Sequence, residues 1–182
     1  CAQKRGSGES DELAKLELLM NQAGVTVADR RVVAAATSVA EATGLPAAAI
    51  ELRDGRIITG KTKELLGATS AMLLNALKAI AGIPDEVQLI SASVLEPVQR
   101  LKVEFLGNKN PRLHTDEMLI ALSICAAEDE RAARALECLP QLAGCDAHTS
   151  VILSNVDDTV LRRLRVNLTC EPIYETNKLY HG

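Results

Sequence analysis

The chain has 182 residues, a formal net charge of −4 and 47% apolar residues, which is enough for one α/β domain with a large core. Aromatic residues make up 2% and Trp is absent, so we expect a core of Ala, Leu, Val and Ile in tightly packed layers. There is no stripe of Lys and Arg and no apolar run of membrane-spanning length, so neither nucleic acid nor a membrane is an expected partner. The five scattered cysteines are typical of reduced thiols in the cytoplasm.

The N-terminal part predicts a linker followed by helices. The first ten residues are polar and rich in Gly and Ser, and we expect them to be a linker from a longer protein whose upstream part is a partner of this one. A helix is predicted from about Asp11 to Ala23, and a second from Thr26, which forms a capping box with Asp29, to about Thr43. The predicted organisation is a linker at 1–10, a helical segment at 11–45 that ends a preceding helical domain, and an α/β domain at 46–182.

The remaining chain predicts a hairpin followed by alternating helices and strands. Two β-rich runs flank Asp54-Gly55, which is the strongest short hairpin signal, and a long helix is predicted to begin at Thr62. The further predicted elements are a strand at Val87–Ser91, a helix starting at Ser93 or at Pro97, helices from about Asp116 to Leu139, strands at HTSVILS and RVNLTC, and a short helix after Asn155.

This order of elements predicts a mixed sheet covered by helices on both faces, a three-layer α/β/α sandwich. It resembles the cytidine-deaminase-like topology. The zinc motifs of that group, H-x-E and P-C-x-x-C, are absent from the corresponding places, so we expect no metal site of that kind. The spacing of Cys138, Cys145 and His148 fits no standard zinc pattern, and we interpret these residues as packing.

The run from Gly55 to Thr62 satisfies the P-loop pattern G-x-x-x-x-G-K-[ST] letter for letter. We do not interpret it as a P-loop, because the first Gly lies in a hairpin turn and the β-branched residues after it predict a strand.

An anion site is predicted where strands end and helices begin, because ligands of open α/β sheets bind at that edge. The alternative is that Thr62 caps a helix and Lys61 is solvated. The residues predicted to hold the anion are Gly60, Lys61, Thr62, Ser91, Ser93, Ser154 and Asn155.

The stretch GNKNPRLHTDE, residues 107–117, crowds hydrogen-bonding groups at the entrance of an apolar helix. In one interpretation Arg112 binds a carboxylate or phosphate, His114 is a general acid or base, and Asp116 orients it. In the other, Thr115 caps the helix and the acids complement its dipole.

Several runs resemble one bacterial family, the domain of unknown function 1846. They are DGRIITGKT, LLNALKAIAGI, NPRLHTDEMLIALSICA, GC-x-AH-x-S-VILS, NLTCEP and the terminal KLYH. The resemblance implies that the chain is the C-terminal third of a longer protein and that its layout is deaminase-like without zinc. It implies no catalytic residues, because none are established for the family.

Two functions are expected from these observations. The first is part of a cytoplasmic enzyme that binds a phosphorylated or otherwise anionic small molecule. The second is a structural or oligomerisation domain that packs on the upstream part or on a second subunit of a homo-oligomer, suggested by the Ala-rich second helix. The sequence identifies no cofactor and leaves open whether the chain is catalytic.

Overall fold

The computed structural model of the chain describes residues 10–175. Its helices are α1 (Ser10–Ala23), α2 (Arg31–Thr43), α3 (Ala68–Ala81), α4 (Ala92–Arg100), α5 (Thr115–Cys125), α6 (Glu130–Glu137) and α7 (Asn155–Arg163). Its strands are β1 (Ala47–Glu51), β2 (Ile57–Lys61), β3 (Asp146–Thr149) and β4 (Asn167–Cys170). Short 3₁₀ turns lie at Val27–Asp29 and Leu139–Leu142, and one π-helical turn lies at Leu101–Phe105.

The four strands form one mixed sheet in the order β2-β1-β3-β4. The β1 strand pairs antiparallel with both β2 and β3, whereas β3 and β4 are parallel. The first four residues of β1, Ala47 to Ile50, are completely buried. Because both faces of this central strand must be covered, the sequence can use small apolar residues without alternation there.

Helices cover both faces of the sheet. On one face α2 packs Val32 and Ala36 against Ala49. On the other face α3, α5 and α6 build the main core, in which Ile50 and Met72 are fully buried. The sheet is therefore the middle layer of an α/β sandwich, and β2 is an edge strand of it within residues 10–175.

Gly60 sets the distance between β2 and α3. A Cβ atom at this position would lie 2.1 Å from the backbone nitrogen of Met72 in α3, a separation that no side chain can occupy. The glycine is therefore required for helix–strand packing, and the residues before it form β2 and not a phosphate-binding loop. The hairpin predicted at Asp54-Gly55 is confirmed, with Gly55 at a φ of 82°.

Several predicted elements are confirmed, and two are wrong. The long helix does not begin at Thr62, because the Thr62 amide still donates to the Pro46 carbonyl and so continues the β1–β2 ladder. The helix α3 begins only at Ala68. No strand forms at Val87–Ser91; this stretch is a loop that buries Leu89 and Ile90 without strand pairing.

Three helix starts also differ from the predicted ones. The α4 helix begins after Ser91 and includes Pro97 in its interior, so it starts at neither Ser93 nor Pro97. The capping box of Thr26 and Asp29 is present, but it closes a 3₁₀ turn, and α2 begins two residues later at Arg31. His114, not Thr115, is the N-cap of α5.

The coarse fold is confirmed as α/β with a mixed sheet, and the deaminase-like topology stays a prediction. The predicted domain boundary near residue 45 also stays a prediction. The predicted linker lies outside the described residues apart from Ser10, which belongs to α1. Between residues 10 and 175, no helix is long and apolar enough to cross a membrane.

Candidate functional site

A cavity of about 890 Å³ opens beside the edge strand β2. Its walls are the C-terminal end of α2, the outer face of α3, and two loops at residues 62–66 and 85–90. Most of its wall is apolar, formed by Val39, Leu45, Leu65, Leu66, Ala71, Leu74, Val87, Leu89, Ile90 and Leu95. This volume lies within the range of small-molecule sites in proteins, roughly 300–1,000 Å³.

The edge of β2 presents unpaired backbone groups to this cavity. In the antiparallel pair, hydrogen bonds join Leu52 to Arg56 and Pro46 to Thr62, at the two ends of the register. Because hydrogen-bonded pairs alternate along an antiparallel ladder, the amides of Thr59 and Lys61 point away from β1. The Thr59 carbonyl accepts a hydrogen bond from the Asn75 amide, 2.9 Å away. The outward N–H groups of Thr59 and Lys61 therefore border the cavity.

Three lysines line the cavity. Lys78 is 5% exposed, and its ammonium donates to the Asp85 carbonyl, which holds that loop against α3. Lys61 is half-buried and Lys63 is exposed, and within residues 10–175 neither forms an ion pair. Thr62 lies between them and is 3% exposed, and its hydroxyl has no hydrogen-bond partner in the same part of the chain.

Acidic side chains surround the entrance. Glu64, Asp85 and Glu86 are exposed and belong to the two loops that bound the cavity. Their charges disfavour a ligand with several anionic groups, whereas Lys61, which is half-buried in the cavity wall, favours a single anionic group.

Arg112 and His114 lie outside this cavity, next to one of its walls. Leu113 is 1% exposed and pairs with Leu66 in a parallel β-bridge. Arg112 donates from Nε to the Lys63 carbonyl, 3.1 Å away, and from Nη1 to Glu175, 3.2 Å away. The segment around Leu113 thus separates the predicted residues into two groups, with Lys61 inside the cavity and His114 beyond its wall.

His114 belongs to a cluster with Asp157 and Ser154. Its Nδ1 lies 3.0 Å from Oδ2 of Asp157, which also accepts from the Ser154 hydroxyl at 2.7 Å. The other oxygen, Oδ1, accepts from the Thr115 amide at 2.8 Å. Asp157, not Asp116, therefore contacts the imidazole; Asp116 accepts from the Glu117 amide.

The cluster shifts the pKa values of both ionisable partners. The hydrogen bond that His114 donates to Asp157 raises the pKa of His114, although burial acts in the opposite direction. Burial alone would raise the pKa of Asp157, but the hydrogen bonds from His114, Thr115 and Ser154 outweigh it and lower this pKa. Asp157 is therefore a carboxylate that stabilises the imidazolium form of His114.

A partly buried ion pair supports the same segment from the other side. The Lys102 ammonium, with a side chain that is 4% exposed, lies 2.7 Å from Glu117 and donates to the Arg112 carbonyl. Glu117 in turn accepts from the His114 amide at 2.8 Å, which completes the capping of α5. The backbone of Arg112 and His114 is thereby held on both sides.

Of the remaining predicted site residues, which are Ser91, Ser93, Ser154 and Asn155, Ser154 belongs to the His114 cluster. The exposed hydroxyls of Ser91 and Ser93 bond to each other at 2.9 Å and do not line the cavity. Ser154 is the N-cap of α7, and Asn155 is its exposed first residue, so Asn155 does not cap this helix. Within residues 10–175 no three His, Cys, Asp or Glu side chains are close enough to hold a metal ion.

A second polar cluster surrounds His148 on the α2 face of the sheet. His148 is 1% exposed, with Nδ1 at 2.8 Å from the Thr169 hydroxyl and Nε2 at 3.1 Å from Glu171. Arg30 donates to the same Thr169 oxygen. Burial lowers the pKa of His148, so the neutral ring donates from Nε2 to Glu171.

The sequence analysis did not predict the contacts made around His114 by Asp157, Lys102 and Glu117. Asp157 follows Ser154 by three positions, which is the spacing of a capping box and was the available signal. Lys102 gave no signal, because a lysine in a helix is most often solvated. Glu117 was assigned only to the helix dipole.

The geometry defines the chain as an α/β domain with a mixed four-stranded sheet and an open cavity beside its edge strand. The chain belongs to the family described as domain of unknown function DUF1846, C-terminal, whose model matches residues 28–180. This match confirms the resemblance found in the sequence.

Relatives in bacteria share more than half of their aligned residues with the chain. A UPF0371 protein of Corynebacterium glutamicum (strain R) is 56% identical over 92% of the chain, and one of Corynebacterium urealyticum is 52% identical over 98% of it. A UPF0371 protein of Streptococcus pneumoniae (strain P1031) is 52% identical over 91% of the chain. These alignments cover 34–36% of the relatives, so the chain spans about a third of their length.

Proposed function

We propose that this domain is the ligand-binding part of a larger enzyme and that the cavity beside β2 binds an anionic small molecule. The observation that carries the proposal is that Lys61, Thr62 and the outward amides of β2 all line one cavity of about 890 Å³ at the sheet edge, with Lys61 on the α2 side and Thr62 on the α3 side. These groups are donors, and among the described residues the Lys61 ammonium and the Thr62 hydroxyl have no acceptor in the protein.

The composition of the wall narrows the class of ligand. Apolar residues form most of the wall, so burying a hydrocarbon or ring part of the ligand is favourable. The acidic entrance disfavours a ligand with several anionic groups. A molecule with an apolar body and one carboxylate or phosphate group satisfies both conditions.

Thermal unfolding with a small set of probes tests this proposal. Phenyl phosphate and benzoate combine a ring with an anion, whereas inorganic phosphate and benzyl alcohol each lack one of the two. We expect a rise in melting temperature of about 5 °C or more at concentrations near 100 times the dissociation constant for a ring-bearing anion, and a smaller rise for the other two.

A pair of lysine variants separates binding from general electrostatic attraction. Lys61→Met removes the charge inside the cavity, and we expect it to abolish most of the ligand-induced rise. Lys109→Met removes an exposed charge from the loop before Asn110 and should leave the rise unchanged. An equal rise in both variants, or no rise with any probe, would overturn the proposal.

A second candidate function is docking of the domain on the rest of the polypeptide that its longer relatives carry. The specific observation is α1, whose leucines Leu13, Leu16 and Leu19 are 45–59% exposed. An apolar stripe on a helix is stable in water mainly when a partner covers it. The Ala-rich α2, in contrast, is used within the domain, because Val32, Val33 and Ala36 are buried.

Light scattering after size exclusion tests the docking function. We expect the isolated chain to self-associate through the exposed stripe and Leu16→Ser/Leu19→Ser to be monomeric. In a full-length relative, the equivalent double change should lower the melting temperature, because a covered interface would be lost. A monomeric chain together with an unaffected full-length protein would exclude docking through α1.

A further inference from the structure

A second site is suggested by the way the segment before α5 is held. The Leu113 side chain is buried in the main core, and the Leu113 backbone forms a parallel bridge with Leu66. Because side chains alternate in an extended segment, Arg112 and His114 on either side of it face the same way, outward. Both are part-exposed, with side chains that are 33% and 24% accessible. The structure therefore places a guanidinium and an imidazole on one surface, outside the cavity.

The hydrogen bonds of His114 define which ring nitrogen is available. The carboxylate of Asp157 faces Nδ1, so the proton of the neutral ring belongs on Nδ1. The other nitrogen, Nε2, has no hydrogen-bond partner within residues 10–175. An imidazole that donates from one nitrogen to a carboxylate and has a free lone pair on the other nitrogen has the arrangement of a general acid or base.

Ser154 does not act as a nucleophile in this arrangement. Its hydroxyl lies 3.4 Å from Nδ1, the side of the ring already occupied by Asp157, and it donates to that carboxylate. It also accepts from the Asp157 amide as the N-cap of α7. Ser154 therefore orients Asp157, and the reacting atom of the cluster is Nε2 of His114.

Arg112 supplies a charge on the same surface as the imidazole. Its Nε and Nη1 are used by the Lys63 carbonyl and Glu175, whereas Nη2 has no hydrogen-bond partner among the described residues. The guanidinium is thus fixed in position and retains donors for an anion.

We propose that Arg112 and His114 form a second site in which Arg112 binds an anionic group of a substrate and Nε2 of His114 exchanges a proton with a hydroxyl or water at that substrate. In the forward direction the neutral ring takes the proton from the oxygen and becomes an imidazolium, paired with the Asp157 carboxylate. In the reverse direction the imidazolium returns that proton to an oxygen. The inference goes beyond the cavity and does not depend on ligand binding there.

The charged groups around the imidazole are consistent with this role. Asp157 contacts it directly, and Glu117 and Lys102 form a pair beneath the segment, so their charges largely cancel. Glu175 shares Arg112 but leaves Nη2 unoccupied. A single carboxylate therefore dominates the electrostatics of the ring.

NMR of the histidine side chains in this chain tests the proposal. The sequence has three histidines, and spectra of His114→Gln and His148→Gln assign their signals. We expect the neutral form of His114 to carry its proton on Nδ1 in the ¹⁵N spectrum of the wild-type chain, which requires no variant to fold. A neutral form protonated on Nε2 would overturn the proposal.

Titration with inorganic phosphate provides the second readout. We expect phosphate to move the Cε1–H resonance of His114 in the wild-type chain and in Lys61→Met, and to leave it unmoved in Arg112→Gln. A structural role for Arg112 and His114 predicts no response to phosphate in any variant, and that result would overturn the proposal. The Lys61→Met result distinguishes failure of this site from failure of the cavity.

Discussion

Gly60 shows how a single missing side chain positions a strand against a helix. The close approach of its backbone to Met72 places β2 within reach of α3 and so shapes one wall of the cavity. The same glycine belongs to a P-loop-like run of letters, yet its role is packing. At the scale of the residue, the role of Gly60 therefore follows from its close contact with α3 and not from its match to the P-loop motif.

Gly60→Ala is expected to destabilise the domain strongly. The new Cβ would force α3 away from β2, and overpacking of this kind costs typically about 1–3 kcal/mol or more. Urea unfolding followed by circular dichroism measures the change. Gly67→Ala is the matched control, because its Cβ would lie 3.9 Å from the nearest atom, the Leu113 carbonyl oxygen, and its φ of −65° suits alanine. Equal stability of the two variants would contradict the close-packing account.

The two described histidines are expected to act on stability in opposite directions as pH falls. Burial lowers the pKa of His148 in the folded state, so its contribution is present above pH ~6.5 and is lost as pH falls through the folded pKa. The Asp157 hydrogen bond raises the pKa of His114, so its contribution is present below pH ~6.5 and is lost as pH rises through the folded pKa.

Unfolding free energies at pH 7.5 and pH 5.5 measure this difference. His148→Gln should reduce the loss of stability on acidification, and His114→Gln should increase it. Parallel pH profiles for both variants and the wild-type chain would show that neither pKa is shifted as the structure indicates.

At the scale of elements, a partly buried ion pair joins the turn after α4 to the start of α5. Lys102 lies in the π-helical turn Leu101–Phe105, where the Leu106 amide bonds to the Leu101 carbonyl at 3.0 Å. From this turn it reaches Glu117 and the Arg112 carbonyl. Extra-wide turns of this type often occur at functional sites, and this one places an ammonium beneath the segment that carries His114.

Lys102→Met is expected to lower the free energy of unfolding by about 1–3 kcal/mol, because it removes the ammonium that pairs with Glu117 and leaves the Arg112 carbonyl without its donor. In a double-mutant cycle with Glu117→Gln, the coupling energy should exceed about 0.5 kcal/mol. The exposed pair of Arg100 and Glu104 is the control, and Arg100→Met should cost less than about 1 kcal/mol. If Lys102→Met and Arg100→Met lowered the free energy of unfolding equally, the Lys102–Glu117 pair would contribute no more than an exposed one, contrary to the prediction.

Elements with strong local signals were predictable from sequence. The Asp54-Gly55 turn, the periodic α1 and the apolar α5 have signals that do not depend on distant contacts. The start of α3 was not predictable, because Thr62–Gly67 has helix-forming residues and is held as a loop by long-range bonds to Pro46 and Leu113. The strand predicted at Val87–Ser91 was wrong for a related reason, because a short apolar run is buried equally well in a strand or in a loop.

The candidate site was predictable in part. Lys61, Thr62, Arg112 and His114 were identified from residue type and position along the chain. Their division into two groups was not, because it results from the bridge between Leu66 and Leu113, which are distant in sequence. The partner of His114 was missed for the same reason, since Asp157 lies 43 positions away.

At the scale of the whole molecule, the domain carries a cavity at one sheet edge and a polar surface beyond its wall. Its relatives are about three times as long, since the alignments cover 34–36% of them. We therefore propose that in the complete proteins the cavity and the polar surface act together with the part of the polypeptide that the alignments do not cover. The exposed stripe of α1 offers one place for that contact.

The most direct test of the cavity is the response of backbone amides to phenyl phosphate in ¹H–¹⁵N spectra of the chain. Thr59 and Lys61 point their amides outward from β2, whereas Ile58 and Gly60 pair with β1 and serve as internal controls. We predict that the amide resonances of Thr59 and Lys61 move on saturation and that those of Ile58 and Gly60 move much less. Uniform movement along β2, or no movement at Lys61, would contradict binding at this edge.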